Sequence, residues 1–187
     1  TNQTSNRVEK AIISFGTSAP REYAYTYDAA GNITQIKEKN VVKMEYTYDQ
    51  LGQLIQENNY NTGQTVKYEY DNGGNLKLEK VYYLNSTTMM GTRNFTYGDS
   101  NWKDKLTAYD GKSITYDAIG NPITYDKATY TWEGGRQLKR FSKSGTVADY
   151  SYDENGLRTS KTINGITTRS IYDEGKLVAL QAKKPLY

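Results

Sequence analysis

The 187-residue sequence predicts an all-β protein: a continuous antiparallel meander of β-hairpins that curls into a spiral or partial shell. Three observations predict it. Nineteen Tyr and 22 Thr stand against 11 Ala, a balance that favours pleated backbone over helix. A Tyr-x-Tyr-Asp-x-x-Gly frame recurs at steps of about twenty residues. Between these frames lies a second family of turn signals, so reversals alternate between the two edges of a sheet.

The elements follow in order. Residues 1–22 form a leading fragment with one strand-like run, Ala11-Ile12-Ile13-Ser14-Phe15, before Gly16. Residues 23–180 carry the repeats. Tyr25-Thr26-Tyr27-Asp28-Ala29-Ala30-Gly31, Tyr46-Thr47-Tyr48-Asp49-Gln50-Leu51-Gly52 and Tyr68-Glu69-Tyr70-Asp71-Asn72-Gly73-Gly74 are the clearest copies. Tyr116-Asp117 through Gly120, Tyr130-Thr131-Trp132-Glu133-Gly134-Gly135, Tyr150-Ser151-Tyr152-Asp153 through Gly156, and Tyr172-Asp173-Glu174-Gly175 keep the frame more loosely. Phe95-Thr96-Tyr97-Gly98-Asp99 is a degenerate copy. In the clearest copies, alternation puts the two aromatics on one strand face, the aspartate opens a type I turn by holding its own backbone, and the glycine takes the position that needs φ > 0. Ile33, Leu54, Leu76, Leu138, Leu157 and Leu177 resume the apolar pattern after the reversal. Asn164-Gly165, Asn61-Thr62-Gly63 and Lys143-Ser144-Gly145 supply opposite-edge turns. Eight aspartate-type turns imply about sixteen strands. Val81 to Tyr109 is irregular, with a polar loop around Trp102, and Pro185 marks residues 181–187 as a poorly ordered tail.

Tyrosine takes over the apolar work. Leu, Ile, Val and Phe total 32 residues, a composition near that of disordered chains, but low net charge and abundant aromatics oppose that reading. With no Cys and no His, a disulfide framework, thiolate or imidazole metal sites, and Ser-His-Asp or Cys-His catalysis are excluded. A formal charge of +3 favours neither nucleic acid nor a membrane surface. No apolar run is long enough to cross a bilayer as a helix. The first residue is not Met, so the sequence reads as a piece of a longer chain.

Tyr-Asp-x-x-Gly-Asn-Leu at this spacing resembles the YD repeats of the Rhs family, which also occur in Tc toxin shells and teneurins. The resemblance covers about Tyr23 to Leu180. Ser113 through Pro122, Tyr130 through Leu138 and Gly156 through Gly165 are similar to the stretch upstream of the Rhs core in secreted or wall-associated bacterial proteins. The resemblance implies a non-catalytic shell segment that encapsulates or presents a C-terminal toxin, with the rest of the parent protein and its toxin domain as partners and no cofactor. Pro20, Pro122 and Pro185 follow Ala19, Asn121 and Lys184, so the Asp-Pro type cleavage motif of the Rhs core has no counterpart here.

The same residues admit other chemistries. Asp28, Asp49, Asp71, Asp117, Asp153 and Asp173 are first of all turn aspartates; calcium is the alternative, best at Asp71 to Asn75. Carboxylates in a row along one edge do not make a glycosidase pair across a cleft. The tyrosines pack with hydroxyls reaching the rim or a neighbour, or else stack on wall carbohydrate. Arg136, Lys139, Arg140 and Lys143 read as a solvated strand face. Unpaired edge strands invite self-association between copies.

Overall fold

The computed structural model describes residues 7–183. It is all-β, with seventeen antiparallel strands among the described residues, against the sixteen expected. The expected tail from 181 lies partly outside the described residues; the last strand runs to Lys183.

The chain divides into two compact units at Thr96/Tyr97. The first holds β1 (Lys10–Ile13), β2 (Arg21–Tyr27), β3 (Ile33–Glu38), β4 (Val41–Tyr48), β5 (Leu54–Asn59), β6 (Gln64–Tyr70), β7 (Leu76–Tyr83) and β8 (Met89–Thr96). The second holds β9 (Ala108–Tyr109), β10 (Lys112–Tyr116), β11 (Pro122–Tyr125), β12 (Ala128–Glu133), β13 (Gln137–Lys143), β14 (Thr146–Tyr152), β15 (Arg158–Ile163), β16 (Ile166–Asp173) and β17 (Lys176–Lys183). Within each unit every ladder joins strands consecutive in sequence. The first strand is Lys10–Ile13, shorter than the run from Ala11 to Phe15, because the reversal begins at Phe15, whose carbonyl accepts from Ser18 N at 3.0 Å.

The two edges of each meander turn differently. One edge carries the long turns that follow Tyr-Asp. The other is closed largely by two-residue turns with both central residues at positive φ: Lys39-Asn40, Asp110-Gly111, Asp126-Lys127, Ser144-Gly145 and Asn164-Gly165. These have the handedness that suits the twist of paired strands.

Burial is shallow. Val81, Ala128 and Ala148 are the buried apolar residues, and no large side chain is fully buried among the described residues. Aromatic side chains therefore pack laterally along the sheet, as in the tilted pair Tyr130 and Phe141 with centroids 5.5 Å apart. On the opposite face of the first unit, a polar row crosses four strands. Gln35 donates to Glu45 at 3.0 Å, Asn58 to Glu45 at 3.4 Å, and Thr65 to Asn58 at 2.8 Å, which satisfies the buried Asn58 and Thr65.

Candidate functional site

Five turns share one geometry. Asp28 Oδ1 accepts from Gly31 N and Asn32 N at 2.8 and 2.9 Å, while its Oδ2 accepts from Asn32 Nδ2 at 3.0 Å. Asp49 Oδ1 accepts from Leu51 N and Gln53 N. Asp71 does so from Gly73 N and Asn75 N, Asp117 from Ile119 N and Asn121 N, and Asp153 from Asn155 N and Leu157 N. In all five, the glycine N–H at 31, 52, 74, 120 or 156 donates to the aspartate carbonyl. The carboxylates of Asp28 and Asp71 titrate below the usual range, chiefly because the side chains of Asn32 and Asn75 hydrogen-bond to them. For Asp117, burial is the largest single influence and pushes upward, but the combined hydrogen bonds from Asn121, Ile119 and Gly120 still lower it. At Asp71, the best calcium candidate, both oxygens are engaged by its own turn, and no group of three or more acidic side chains converges among the described residues.

Asp173 departs from this set. Its frame is one residue short, Asp-x-Gly, so Asp173 pairs directly with Lys176 and the chain reverses through Glu174 and Gly175, both at positive φ. Gly135 lies in a loop with Gly134 that joins Glu133 to Gln137, without an aspartate. The degenerate copy closes on an enlarged loop: Asp99 Oδ1 accepts from Asn101 N and Trp102 N, each at 3.0 Å, and its other oxygen pairs with Lys105. That ion pair holds the Asp99 carboxyl down at about 2.

The two aromatics of each frame have separate roles. The second one sits directly after a register shift: between Thr26 and Tyr27, Thr47 and Tyr48, Glu69 and Tyr70, Thr115 and Tyr116, Thr131 and Trp132, Ser151 and Tyr152, and Ile171 and Tyr172. Such bulges bend and twist the strand that carries them. On its other side, the ladder to the preceding repeat stops early; β3 pairs with β4 from Gln35 and Glu45 onward, leaving Ile33 beyond its end. The Tyr48 hydroxyl takes the Ile33 carbonyl at 2.9 Å. The same stitch recurs from Tyr27 to Val8, Tyr70 to Leu54, Tyr116 to Leu106, Tyr152 to Leu138 and Tyr172 to Arg158, and Trp132 Nε1 donates to Pro122. Strands that splay at this edge are thus joined through side chains where backbone pairing has ended.

The first aromatics, Tyr25, Tyr46, Tyr68, Tyr130 and Tyr150, are half-buried on the tyrosine face of their unit. Burial, followed by the charges of Glu57 and Glu79, pushes the Tyr68 hydroxyl up to about 12.

Turn glycines also receive a neighbouring repeat. At Gly120, where φ is +87°, a Cβ would lie 2.7 Å from Trp102 Cη2, so the indole rests on the turn backbone. Lys105 Nζ lies 5.5 Å from the Trp102 ring and 5.3 Å from the Tyr116 ring. Three of the four residues read as a basic strand face carry ion partners; Arg140 is bidentate to Asp149 at 2.6 and 3.1 Å, and Lys143 binds Asp126 at 2.7 Å. Lys139 pairs with Glu133, and Arg136 donates to the Ile119 carbonyl.

Sequence reasoning missed the carbonyl acceptors, the Trp102 contact and the turns at Lys39-Asn40, Asp110-Gly111 and Asp126-Lys127. Asp110-Gly111 could have been found, being an Asp-Gly hairpin signal. The acceptors depend on where a ladder ends, which no local residue pattern encodes.

Among the described residues the arrangement is a set of inter-repeat fastenings along one edge of each meander. Comparison with known proteins places the repeat in a family. A family model described as the teneurin YD-shell matches residues 3–179. The tRNA3(Ser)-specific nuclease WapA of Bacillus spizizenii and the tRNA nuclease WapA of Bacillus subtilis strain 168 are each 36% identical over 136 residues, which is 71% of this chain. The chain spans only 6% of the length of either. A chain of the crystal structure of TcdB2-TccC3-Cdc42 superposes with a TM-score of 0.53 at 17% identity, covering 89% of this chain and 12% of that one.

Proposed function

The chain belongs to the teneurin YD-shell family, and from that premise we propose that it is a non-catalytic wall segment of a larger Rhs-type bacterial protein, secreted or wall-associated, whose shell encloses or presents a C-terminal toxin. The observation that carries this reading is the repeated stitch from a turn aromatic to the preceding repeat's backbone. It fastens seven aromatic frames to the repeat before each, as a wall of stacked repeats requires. The curated relatives are named as tRNA nucleases, which supports a nucleic-acid-cleaving cargo carried elsewhere in the parent. Such a cargo is rich in Lys and Arg, because phosphate contacts need them.

The carbohydrate reading has weaker support. The aromatic concavity of the second unit, about 320 Å³ and lined by Ile114, Tyr116, Pro122, Tyr125, Tyr130, Trp132 and Leu138, has the polar atoms of Tyr116 and Trp132 already committed to backbone carbonyls. Limited proteolysis of the purified parent tests the shell. The downstream domain should resist cleavage and stay latent until the wall is opened; a downstream domain digested as fast as the same domain expressed alone would end the proposal.

A further inference from the structure

On the tyrosine face of the first unit, carboxylates stand opposite aromatic or apolar partners. Tyr23 pairs across strands with Glu38, Tyr46 with Glu57, and Tyr68 with Glu79. Two of the three carboxylates have their cation. Glu38 lies 4.0 Å from Arg21 and 3.8 Å from Lys43, and Glu79 is 2.8 Å from Arg93. Glu57 has neither an ion pair nor a hydrogen bond on its side chain among the described residues. It is half-buried on β5, with Tyr46 as its cross-strand neighbour on one side and Val66 on the other, and Tyr68 two residues beyond Val66 on the same face. The buried Val81 backs Val66 across the next ladder. The negative charge of Glu57 is felt by both tyrosines, whose ionisation it opposes after burial has done so.

We propose that Tyr46, Glu57 and Tyr68 form a receptor for a cationic side chain, and that its occupant is a Lys or Arg of an extended basic segment of the enclosed cargo. This rests on the shell reading. A half-desolvated carboxylate gains from a guanidinium or ammonium partner, and phenol rings on either side add cation–π attraction to the same charge. Arginine is the better fit, because its flat guanidinium can stack on a ring while hydrogen-bonding a carboxylate in its own plane. Each unit already holds an arginine in one of these two ways: Arg93 on Glu79 in the first and Arg158 over the Tyr150 ring at 5.7 Å in the second.

The test uses the 187-residue chain and a Gly/Ser-spaced arginine peptide with blocked ends, at physiological salt, with the matching aspartate peptide as the opposite-charge probe. Calorimetry should show the arginine peptide binding and the aspartate peptide not. Glu57→Gln should weaken binding about tenfold or more, while Glu154→Gln, which removes the same charge from an exposed turn, should change it by less than about twofold. Equal losses in the two variants, or no binding by the native chain, would overturn the site. The shell is read separately, by proteolysis of the parent. A native parent that protects its cargo, with a Glu57→Gln parent that releases it no faster, sinks the cation receptor and leaves the wall standing; a native parent that does not protect it sinks the wall.

Discussion

The Tyr48 hydroxyl donates to the Ile33 carbonyl at 2.9 Å, across a gap where the β3 to β4 ladder has already ended. Removing that oxygen leaves the carbonyl to water and opens the splayed edge. Tyr48→Phe should cost about 1 kcal/mol, whereas Tyr46→Phe, whose hydroxyl fastens no backbone group among the described residues, should cost about a few tenths at most. Urea unfolding of both variants checks the difference; equal midpoints would remove the stitch from the account.

Gly52 and Gly120 both sit at positive φ, but only one is covered. A Cβ at Gly52 meets nothing within 4 Å, while one at Gly120 meets the Trp102 indole at 2.7 Å. Gly52→Ala should cost about 1 to 2 kcal/mol from backbone strain alone, and Gly52→Val at least as much. Gly120→Ala should cost more and shift the tryptophan emission to the red. In a Trp102→Ala background, Gly120→Ala should fall to the Gly52 value, a coupling that a double-mutant cycle measures.

Asp99 and Asp126 are each held at about 2. Lys105 is the main cause for the first; Lys143 and then Lys112 are the causes for the second. Because the folded chain binds these protons more weakly than the unfolded one, their stabilisation is intact above the ordinary carboxylate value and is lost as pH falls from there towards about 2. Melting temperature should drop across that window. Asp126→Asn should flatten the drop, and an unchanged acid limb would count against the pairing.

Tyr68 behaves oppositely. Its pKa is pushed up to about 12 by burial and by Glu57 and Glu79, so the folded chain holds the phenolic proton more tightly. That contribution is complete below the ordinary tyrosine value of about 10 and disappears as pH rises from there to about 12. An ultraviolet titration should show one late-ionising tyrosine that is missing in Tyr68→Phe. Glu57→Gln should bring the late step forward.

Much of the fold was readable in the chain because its determinants are local. Asp28 to Asn32 close a turn within five consecutive residues, so the spacing that names the repeat also names its hydrogen bonds. Asp173 shows how literal that code is: one residue fewer before Gly175 and the reversal becomes a two-residue turn. Yet Tyr172 still reaches Arg158, so aromatic and aspartate are separable parts of the motif. The candidate site was less legible. Trp102 on Gly120 joins residues eighteen apart, and nothing in Asp99 to Lys105 announces that an enlarged turn will lay its indole on the next one.

By itself the sequence determined strand class, turn chemistry, repeat length and the side of each strand on which the tyrosines lie, since alternation and left-handed turn positions depend on neighbours along the backbone. Tertiary structure alone decided which carbonyls lie beyond the end of a ladder and accept an aromatic hydroxyl, and which carboxylates find a cation. Glu57 and Glu79 face tyrosines in equivalent ladders, but among the described residues Arg93 reaches the second and no cation reaches the first. The physical reason is that pairing across strands depends on register and on where adjacent strands diverge, quantities set by the bulges and twist of several hairpins together.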